Sequence, residues 1–254
     1  RWVEERDWWY WRDFDLTLQP GQRAWLMLHG ADYYTWTFLN GRRLGEHEGM
    51  FSRQAYEITS LAREHEHNRV AVRFLAPARL PRHRSTWWYR LLNRVEQRVI
   101  DPACDPDRRD TLKCQMSYGW DFAPPLRTIG LWDDVELIVT GEVALFDVQI
   151  KTRLQPGSAV LAVSFDADAH TAGQTGFTFT LQGQTFECAP ITQTHQADLP
   201  AGRTRLTFEM NAPEPRLWFP WDRGEPHLYT LSIQAQRNGH ALDCVTESIG
   251  LREL

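Results

Sequence analysis

The sequence predicts an all-β protein made of two sandwich domains. Apolar and polar residues alternate in short runs separated by turn residues, which is the pattern of half-buried strands. No stretch longer than about ten residues shows a sustained helical repeat. The length of 254 residues exceeds that of one small sandwich and suits two domains of ordinary size.

The first half of the chain begins with strand-like segments joined by short turns. Asn40-Gly41 is the strongest hairpin signal, because both central positions of a type I′ turn require positive φ. Strands are predicted at residues 14–18, 24–28, 35–39, 42–44 and 69–74.

Residues 75–113 interrupt this pattern. Arg, Pro and Asp dominate the segment, which predicts a long excursion outside the sandwich with one short helix over residues 88–98. Trp87, Trp88 and Tyr89 indicate packing against another surface, since disordered segments seldom contain three adjacent aromatic residues.

The segment from Ser117 to Leu137 joins an aromatic, acidic loop to an alternating strand. The indole of Trp120 offers an apolar plane for sugar C–H groups, and the carboxylate of Asp121 can accept hydrogen bonds from hydroxyls. The strand that follows would give the loop a rigid base. We therefore expect Trp120 and Asp121 to bind a polyol. The alternative is that Asp121 caps a backbone N–H beside a tryptophan of the core.

The second half begins after Val139, where the composition shifts towards polar, Thr-rich segments. This shift places one domain at residues 1–140 and a second at residues 141–254. The second domain shows six or seven short, evenly spaced strands, as an immunoglobulin-like sandwich requires. Gly183 and Asn238-Gly239 predict hairpin turns within it.

Composition and charge exclude several kinds of partner. The formal net charge of −5 argues against nucleic acid, and the apolar runs are far shorter than the ~20 residues that cross a bilayer. The four cysteines show no C-x-x-C spacing, so we expect neither a metal site nor a cofactor, and a Cys104–Cys114 bridge is left open. The run of Glu and His at residues 64–67 is interpreted as a solvated turn.

Twelve tryptophans are the compositional outlier. Tryptophans of β-proteins mostly fill cores, so about two-thirds of them are expected in core or interdomain packing. Trp87, Trp88 and Trp221 are the candidates for exposed stacking against a glycan.

Taken together, these segments resemble the two N-terminal domains of glycoside hydrolase family 2, most closely its β-mannosidase branch. Residues 119–124, GWDFAP, are similar to the branch's Gly-Trp-Asp-Trp-Gly-Pro, and residues 128–137 are similar to its Ser-Gly-Ile-Trp-Arg strand. Further matches lie at residues 6–10, 34–51, 215–220, 226–231 and 249–252.

The resemblance implies a galactose-binding-like jelly roll that lacks its first strands, followed by the immunoglobulin-like sandwich. In the family, these domains precede a (β/α)₈ barrel that carries catalysis. The chain would thus be the non-catalytic N-terminal portion of an exo-acting retaining β-glycosidase, a β-mannosidase, and its partners would be a β-linked mannoside or related saccharide and the barrel. Asp121, with Trp120 beside it, would contact the terminal sugar. The alternatives are a free-standing carbohydrate-binding module or the same portion of a β-galactosidase or β-glucuronidase.

Two neighbouring carboxylate pairs were considered for catalysis, since retaining glycosidases need two carboxyl groups about 5–5.5 Å apart. Asp133 and Asp134 are predicted on one strand and would point to opposite faces. Glu46 and Glu48 are predicted in a glycine-flanked turn without apolar neighbours to raise a pKa. The Asn-Glu dipeptide of the family's acid/base site is also absent from the sequence, so no catalytic residue is expected in this chain.

Overall fold

The computed structural model describes residues 2–63, 65–79, 87–88, 91, 95, 111–122 and 124–253. Over these residues the chain is built almost entirely of β-strands, which confirms the all-β prediction. It divides into two compact units, Arg1–Val139 and Thr140–Leu254. Among the described residues, no helix combines the length and the apolar character needed to span a bilayer.

The first unit contains two facing groups of strands around one core. A four-stranded sheet has the order β1-β7-β4-β5, a three-stranded sheet has the order β6-β2-β9, and β3 pairs with β8. Alternate residues of β4 and β7 are buried, as expected for strands with one face towards a core. The strands over the described residues are β1 (Trp8–Asp15), β2 (Arg23–Leu28), β3 (Ala31–Asp32), β4 (Tyr34–Leu39), β5 (Arg42–Glu48), β6 (Gln54–Glu57), β7 (His67–Phe74), β8 (Gly130–Leu131) and β9 (Val135–Thr140).

The hairpin predicted at Asn40-Gly41 is confirmed. These two residues have φ values of 50° and 82° and connect β4 to β5. The Asn40 side chain also fixes the turn, because its amide donates to Asn68 at 2.9 Å and its carbonyl oxygen accepts from the Arg69 backbone N–H at 2.9 Å.

Two strand predictions need correction. The strand predicted at residues 14–18 ends at Asp15 and begins earlier, at Trp8, within the segment 6–10 that resembles the family's opening strand. The aromatic run at residues 8–11 is apolar on both faces and hides the alternation. The strand expected after the Trp120–Asp121 loop is divided into β8 and β9 around Trp132. Asp133 and Asp134 lie between them in a local turn, where the Asp134 backbone N–H donates to the Asp133 carboxylate at 2.8 Å.

The second unit is a sandwich of two antiparallel sheets, with orders β10-β11-β14 and β13-β12-β15-β16. Its core includes the buried rings of Phe165, Phe177 and Phe179. The strands over the described residues are β10 (Val143–Gln155), β11 (Ser158–Ala169), β12 (Gly173–Gly183), β13 (Ile191–Leu199), β14 (Gly202–Pro213), β15 (Tyr229–Arg237) and β16 (His240–Ile249).

Of the two hairpin turns predicted in this unit, one is present. Asn238 and Gly239 have φ values of 50° and 78° and join β15 to β16. The prediction at Gly183 is wrong, because a longer connection follows β12. Glycine is needed there for close packing, since a Cβ at position 183 would lie 2.2 Å from the Phe186 carbonyl oxygen.

An open groove runs between β1 and β9 in the first unit. Within the described residues, each of these strands lies at the end of its sheet. The groove has a volume of about 680 Å³, and Tyr10, Leu26 and Leu137 contribute to its lining. Side chains that line it are unusually accessible for apolar residues: Tyr10 is 42% exposed and Leu137 is 38% exposed. The absence of first strands, which the resemblance implied, stays a prediction.

The expectation for tryptophan is wrong. Only Trp25 is buried, at 6% exposure, among the twelve tryptophans, all of which belong to the described residues. The physical reason is their location, because most of them lie in loops or on outward-facing strand positions. The eight exposed ones are Trp2, Trp9, Trp11, Trp87, Trp88, Trp120, Trp132 and Trp221.

Two further predictions fall partly outside the described residues. Of the helix predicted over residues 88–98, Trp88, Leu91 and Val95 are described and are helical. Among the described cysteines, Cys114, Cys188 and Cys244 are free thiols, and Cys104 lies outside the described residues.

Candidate functional site

The predicted binding residues lie next to each other at the surface of the first unit. A 3₁₀ helix, Gln115–Tyr118, precedes them and ends at Gly119, whose φ of 113° favours glycine. Trp120 is 53% exposed and Asp121 is exposed. Their assignment to substrate binding stays a prediction.

No backbone N–H of the described residues, which do not include Ala123, donates to the Asp121 carboxylate. Over the described part of the chain, no hydrogen bond reaches this carboxylate, and the indole beside it is not part of the core. The carboxylate is thus available to accept hydrogen bonds from hydroxyl groups of a ligand.

A buried polar cluster closes the loop at its base. Lys113 and Thr128 lie on either side of the loop, and both bind Asp32 of β3. The Lys113 ammonium pairs with the Asp32 carboxylate and also donates to the Thr128 carbonyl oxygen, while the Thr128 hydroxyl donates to Asp32 at 2.8 Å. Lys113 is 4% exposed and Asp32 is 2% exposed. Burial lowers the pKa of Lys113, and the hydrogen bond that Lys113 donates to Asp32 acts against that shift.

Hydroxyl groups extend this support towards β5. The Tyr33 hydroxyl accepts from the Leu112 backbone N–H at 3.1 Å and donates to Glu48 at 3.2 Å. Burial raises the pKa of Tyr33, so the phenol stays protonated and keeps its donor. Thr111 and Tyr118 share a hydrogen bond of 2.5 Å between their hydroxyls. The loop therefore begins from backbone that is fixed on both sides.

Sequence reasoning missed Asp32, Lys113 and Thr128. Asp32 is visible as a lone carboxylate after an apolar run, but its partner lies 81 positions later in a segment without strand alternation. No local pattern connects the two residues.

The carboxylate pairs considered for catalysis are used in other ways. Asp133 accepts the backbone N–H of Asp134, so the premise that both lie on a strand is wrong. Glu46 and Glu48 belong to β5 and not to a turn, which corrects their predicted position.

Glu46 has the opposite character to a general acid. Hydrogen bonds from Trp36 and Tyr34, together with the charge of Arg43, lower the pKa of Glu46. Over the described residues, no group of three or more His, Cys, Asp or Glu side chains is arranged to hold a metal ion. The accessible indole of Trp120 and the carboxylate of Asp121 have the chemistry to bind a polyol, which stays a prediction.

Curated relatives and solved structures share this architecture. Beta-mannosidase B of Neosartorya fischeri is 27% identical, and the match covers 99% of this chain and 29% of that protein. Beta-mannosidase B of Aspergillus fumigatus is 28% identical with the same coverage. The chain therefore spans about 29% of the length of these relatives.

Among solved structures, the beta-D-mannosidase of Dictyoglomus thermophilum superposes with a TM-score of 0.75 at 26% identity. It covers 100% of this chain, which corresponds to 30% of that chain. An exo-chitosanase from Amycolatopsis orientalis superposes with a TM-score of 0.69 at 23% identity. The match covers 98% of this chain and 26% of the exo-chitosanase, and at this identity it supports a shared fold only.

Two family models match consecutive parts of the chain. The model described as a glycosyl hydrolase 2 galactose-binding domain-like domain matches residues 1–133, which is more than half of the sequence. The model of glycosyl hydrolases family 2 matches residues 143–252. The resemblance found in the motifs is thereby confirmed, and the chain belongs to glycoside (glycosyl) hydrolase family 2.

Proposed function

We propose that residues 1–254 are the non-catalytic N-terminal part of an exo-acting retaining β-glycosidase, a β-mannosidase. In this proposal, the Trp120–Asp121 loop completes the substrate pocket of a (β/α)₈ barrel in the same polypeptide. The similarity to beta-mannosidase B over 99% of the chain supports the class of enzyme. The single observation that supports the binding site is the exposed carboxylate of Asp121, which has no partner among the described residues, beside the accessible indole of Trp120.

The chemistry of the loop suits a terminal sugar. An ionised carboxylate forms stronger hydrogen bonds than a neutral acceptor, and it can accept from two adjacent hydroxyls at once. The indole would cover the apolar face of the same ring. The buried Lys113–Asp32 pair holds the loop base in place, so little ordering entropy remains to be lost when a sugar binds.

Catalysis would come from the barrel. The two carboxyl groups of a retaining mechanism lie about 5–5.5 Å apart and are presented at the ends of barrel strands. The contribution of residues 1–254 would then be to bind and orient the sugar, which lowers the barrier by positioning.

The test uses the full-length parent enzyme with an aryl β-mannoside. Asp121→Asn should reduce kcat/KM at least tenfold, or about 1.4 kcal/mol of transition-state stabilisation, because the amide replaces a charged acceptor. Asp198→Asn is the matched control at an exposed carboxylate of the second unit, and it should leave kcat/KM unchanged. A loss of less than about threefold for Asp121→Asn would reject the site assignment.

The same assay distinguishes the related glycosidases. Aryl β-galactoside and aryl β-glucuronide are measured in parallel, and the β-mannoside should give the highest kcat/KM. A preference for either of the others would reassign the enzyme within the family and leave the Asp121 test intact.

One observation favours the free-standing carbohydrate-binding module. Trp221 is 89% exposed, and Trp87 and Trp88 are 64% and 59% exposed with their rings stacked at 3.8 Å. Under this alternative, Trp221→Ala or Trp88→Ala would abolish saccharide binding, and Asp121→Asn would not change the activity of the parent enzyme.

A further inference from the structure

The outward side of the β1-β7-β4-β5 sheet carries aromatic rings where alternation would ordinarily place polar residues. Trp8 and Tyr10 pair with the buried residues Phe74 and Val72, so they face inwards. Trp9 and Trp11 therefore face outwards. Trp9 is 53% exposed and Trp11 is 64% exposed. We call this side, with Trp9, Trp11, Trp36, Phe38, Arg69 and Arg73, the outer aromatic face.

The strand register arranges these residues in rows across the sheet. One row contains Trp9, Arg73 and Trp36, and the next contains Trp11, Ala71 and Phe38. Because alanine is small, the second row has no large side chain on β7, and the Trp9 ring reaches across β7 to contact Phe38. The two outer strands of that row are roughly 9–10 Å apart, which is twice the spacing of neighbouring strands.

Cations lie against the rings in fixed positions. The Arg69 guanidinium is 4.5 Å from the Trp11 ring centroid, and the Arg73 guanidinium is 4.5 Å from that of Trp36. Trp9 contacts Phe38 with ring centroids 5.5 Å apart. The rings are thus held by their neighbours before any ligand arrives.

Carboxylates balance these cations. Arg69 binds Asp13 through two hydrogen bonds of 2.6 and 2.7 Å, and Arg73 binds Asp7. The side chains of Arg69 and Asp13 are 58% and 43% exposed, so their remaining hydrogen-bonding capacity is accessible from solvent. The outer aromatic face therefore combines apolar planes with accessible hydrogen-bonding groups and carries little unpaired charge.

We infer that the outer aromatic face binds a neutral saccharide chain, with sugar rings stacked on the exposed indoles of Trp9 and Trp11. A pyranose presents apolar C–H faces and hydroxyl edges. On this surface the indole planes can stack against the C–H faces, and the fixed ion pairs between them can form hydrogen bonds with the hydroxyls. The charge balance offers no attraction to a polyanion. Aromatic residues and arginine are also enriched at protein interfaces, so a second copy of this chain is the alternative occupant that the experiment must distinguish.

The inference is independent of the Trp120–Asp121 loop, so it can fail separately from the proposed function. The experiment is native gel electrophoresis of the 254-residue chain in gels that contain galactomannan or glucomannan. Both neutral polysaccharides should retard the chain, and the anionic carboxymethyl cellulose should not. Trp11→Ala and Trp9→Ala should each weaken retardation on the order of tenfold, since each removes a stacking surface.

Ala71→Gln provides a second test that keeps every ring. The longer side chain would stand between Trp11 and Phe38 and obstruct stacking on Trp11, so it should weaken retardation as strongly as Trp11→Ala does. Asp198→Asn and Asn211→Ala are matched controls at exposed positions of the second unit and should be retarded like the unmodified chain. Circular dichroism confirms that each variant is folded.

Three results would overturn the inference. The first is that neither neutral polysaccharide retards the unmodified chain. The second is that Trp11→Ala and Ala71→Gln are retarded as strongly as the unmodified chain. The third is that sedimentation shows a dimer that Trp11→Ala dissociates without any change in retardation, which would make this face a protein contact.

Discussion

Lys113 and Asp32 form a buried ion pair between residues 81 positions apart in the sequence, and this pair closes the base of the Trp120–Asp121 loop. Their side chains are 2% and 3% exposed. A buried pair of this kind contributes little net stability compared with apolar residues of equal volume, but losing one partner leaves an uncompensated charge. Both consequences can be measured in this chain.

Asp32→Asn should destabilise the first unit by about 3–5 kcal/mol, because the Lys113 ammonium would remain buried without its counter-charge. The measurement is urea unfolding of the 254-residue chain. Asp13→Asn is the control, since it removes the carboxylate of the exposed Arg69–Asp13 pair and should leave the urea midpoint nearly unchanged.

The double variant Lys113→Met/Asp32→Leu should unfold within about 1–2 kcal/mol of the unmodified chain, because both charges are removed together. Equal destabilisation by the single and double variants would show that packing, and not charge, holds this part of the loop base.

Asn68→Ala should destabilise the first unit by about 2–4 kcal/mol. The Asn68 side chain is fully buried, accepts from the Arg63 backbone N–H at 2.8 Å and donates to the Arg63 carbonyl oxygen at 2.9 Å. Alanine would remove both hydrogen bonds to the Arg63 backbone and would leave the Asn40 amide with the Leu61 carbonyl oxygen as its acceptor. Asn211→Ala, at an exposed strand position of the second unit, should change the free energy of unfolding by less than about 0.5 kcal/mol. Similar urea midpoints for the two variants would contradict this prediction.

Asp243 should make the stability of the second unit fall as the pH rises. Burial raises the pKa of Asp243 above its ordinary value of 3.8, against backbone N–H groups of Leu145 and Cys244 at 2.7 and 2.8 Å. The folded state therefore binds this proton more tightly than the unfolded state does. Its contribution to stability is complete below pH 3.8 and is lost as the pH rises through the raised value.

The measurement compares the free energy of unfolding of Asp243→Asn with that of the unmodified chain at several pH values. As the pH increases from about 4 to 7, the unmodified chain should lose stability relative to Asp243→Asn, since asparagine does not ionise. Asp198→Asn, at an exposed position, should show a constant difference. If the difference in free energy of unfolding between Asp243→Asn and the unmodified chain also stayed constant, the Asp243 carboxyl would not contribute to the pH dependence of stability.

The parts of the fold that could be predicted are those with local causes. Asn40-Gly41 specifies its turn by the φ values that two adjacent residues can adopt, and alternation in β4 and β7 reports a single buried face. The strand at residues 8–15 was misplaced because Trp9 and Trp11 are as apolar as the inward-facing Trp8. The Lys113–Asp32 pair depends on tertiary contact alone, and no pattern within a short window can reveal it.

The binding residues also divide into those with a local signal in the sequence and those that only the tertiary structure reveals. Trp120 and Asp121 were recognisable from their chemistry and from a motif, and their accessibility agrees with a binding loop. The outer aromatic face was not anticipated, because tryptophan content alone does not separate a core ring from an exposed one. The register with β7 and β4 makes that separation.

The groove between β1 and β9 has a practical consequence for work with this chain in solution. Backbone N–H and C=O groups at the free side of an edge strand can pair with another chain, and the apolar lining beside them would be covered at the same time. Heating would bring partly unfolded neighbours to this opening and favour precipitation. Denaturant titration at low protein concentration avoids such encounters, and soluble yield should improve when a charged residue replaces Leu137 at the mouth of the groove.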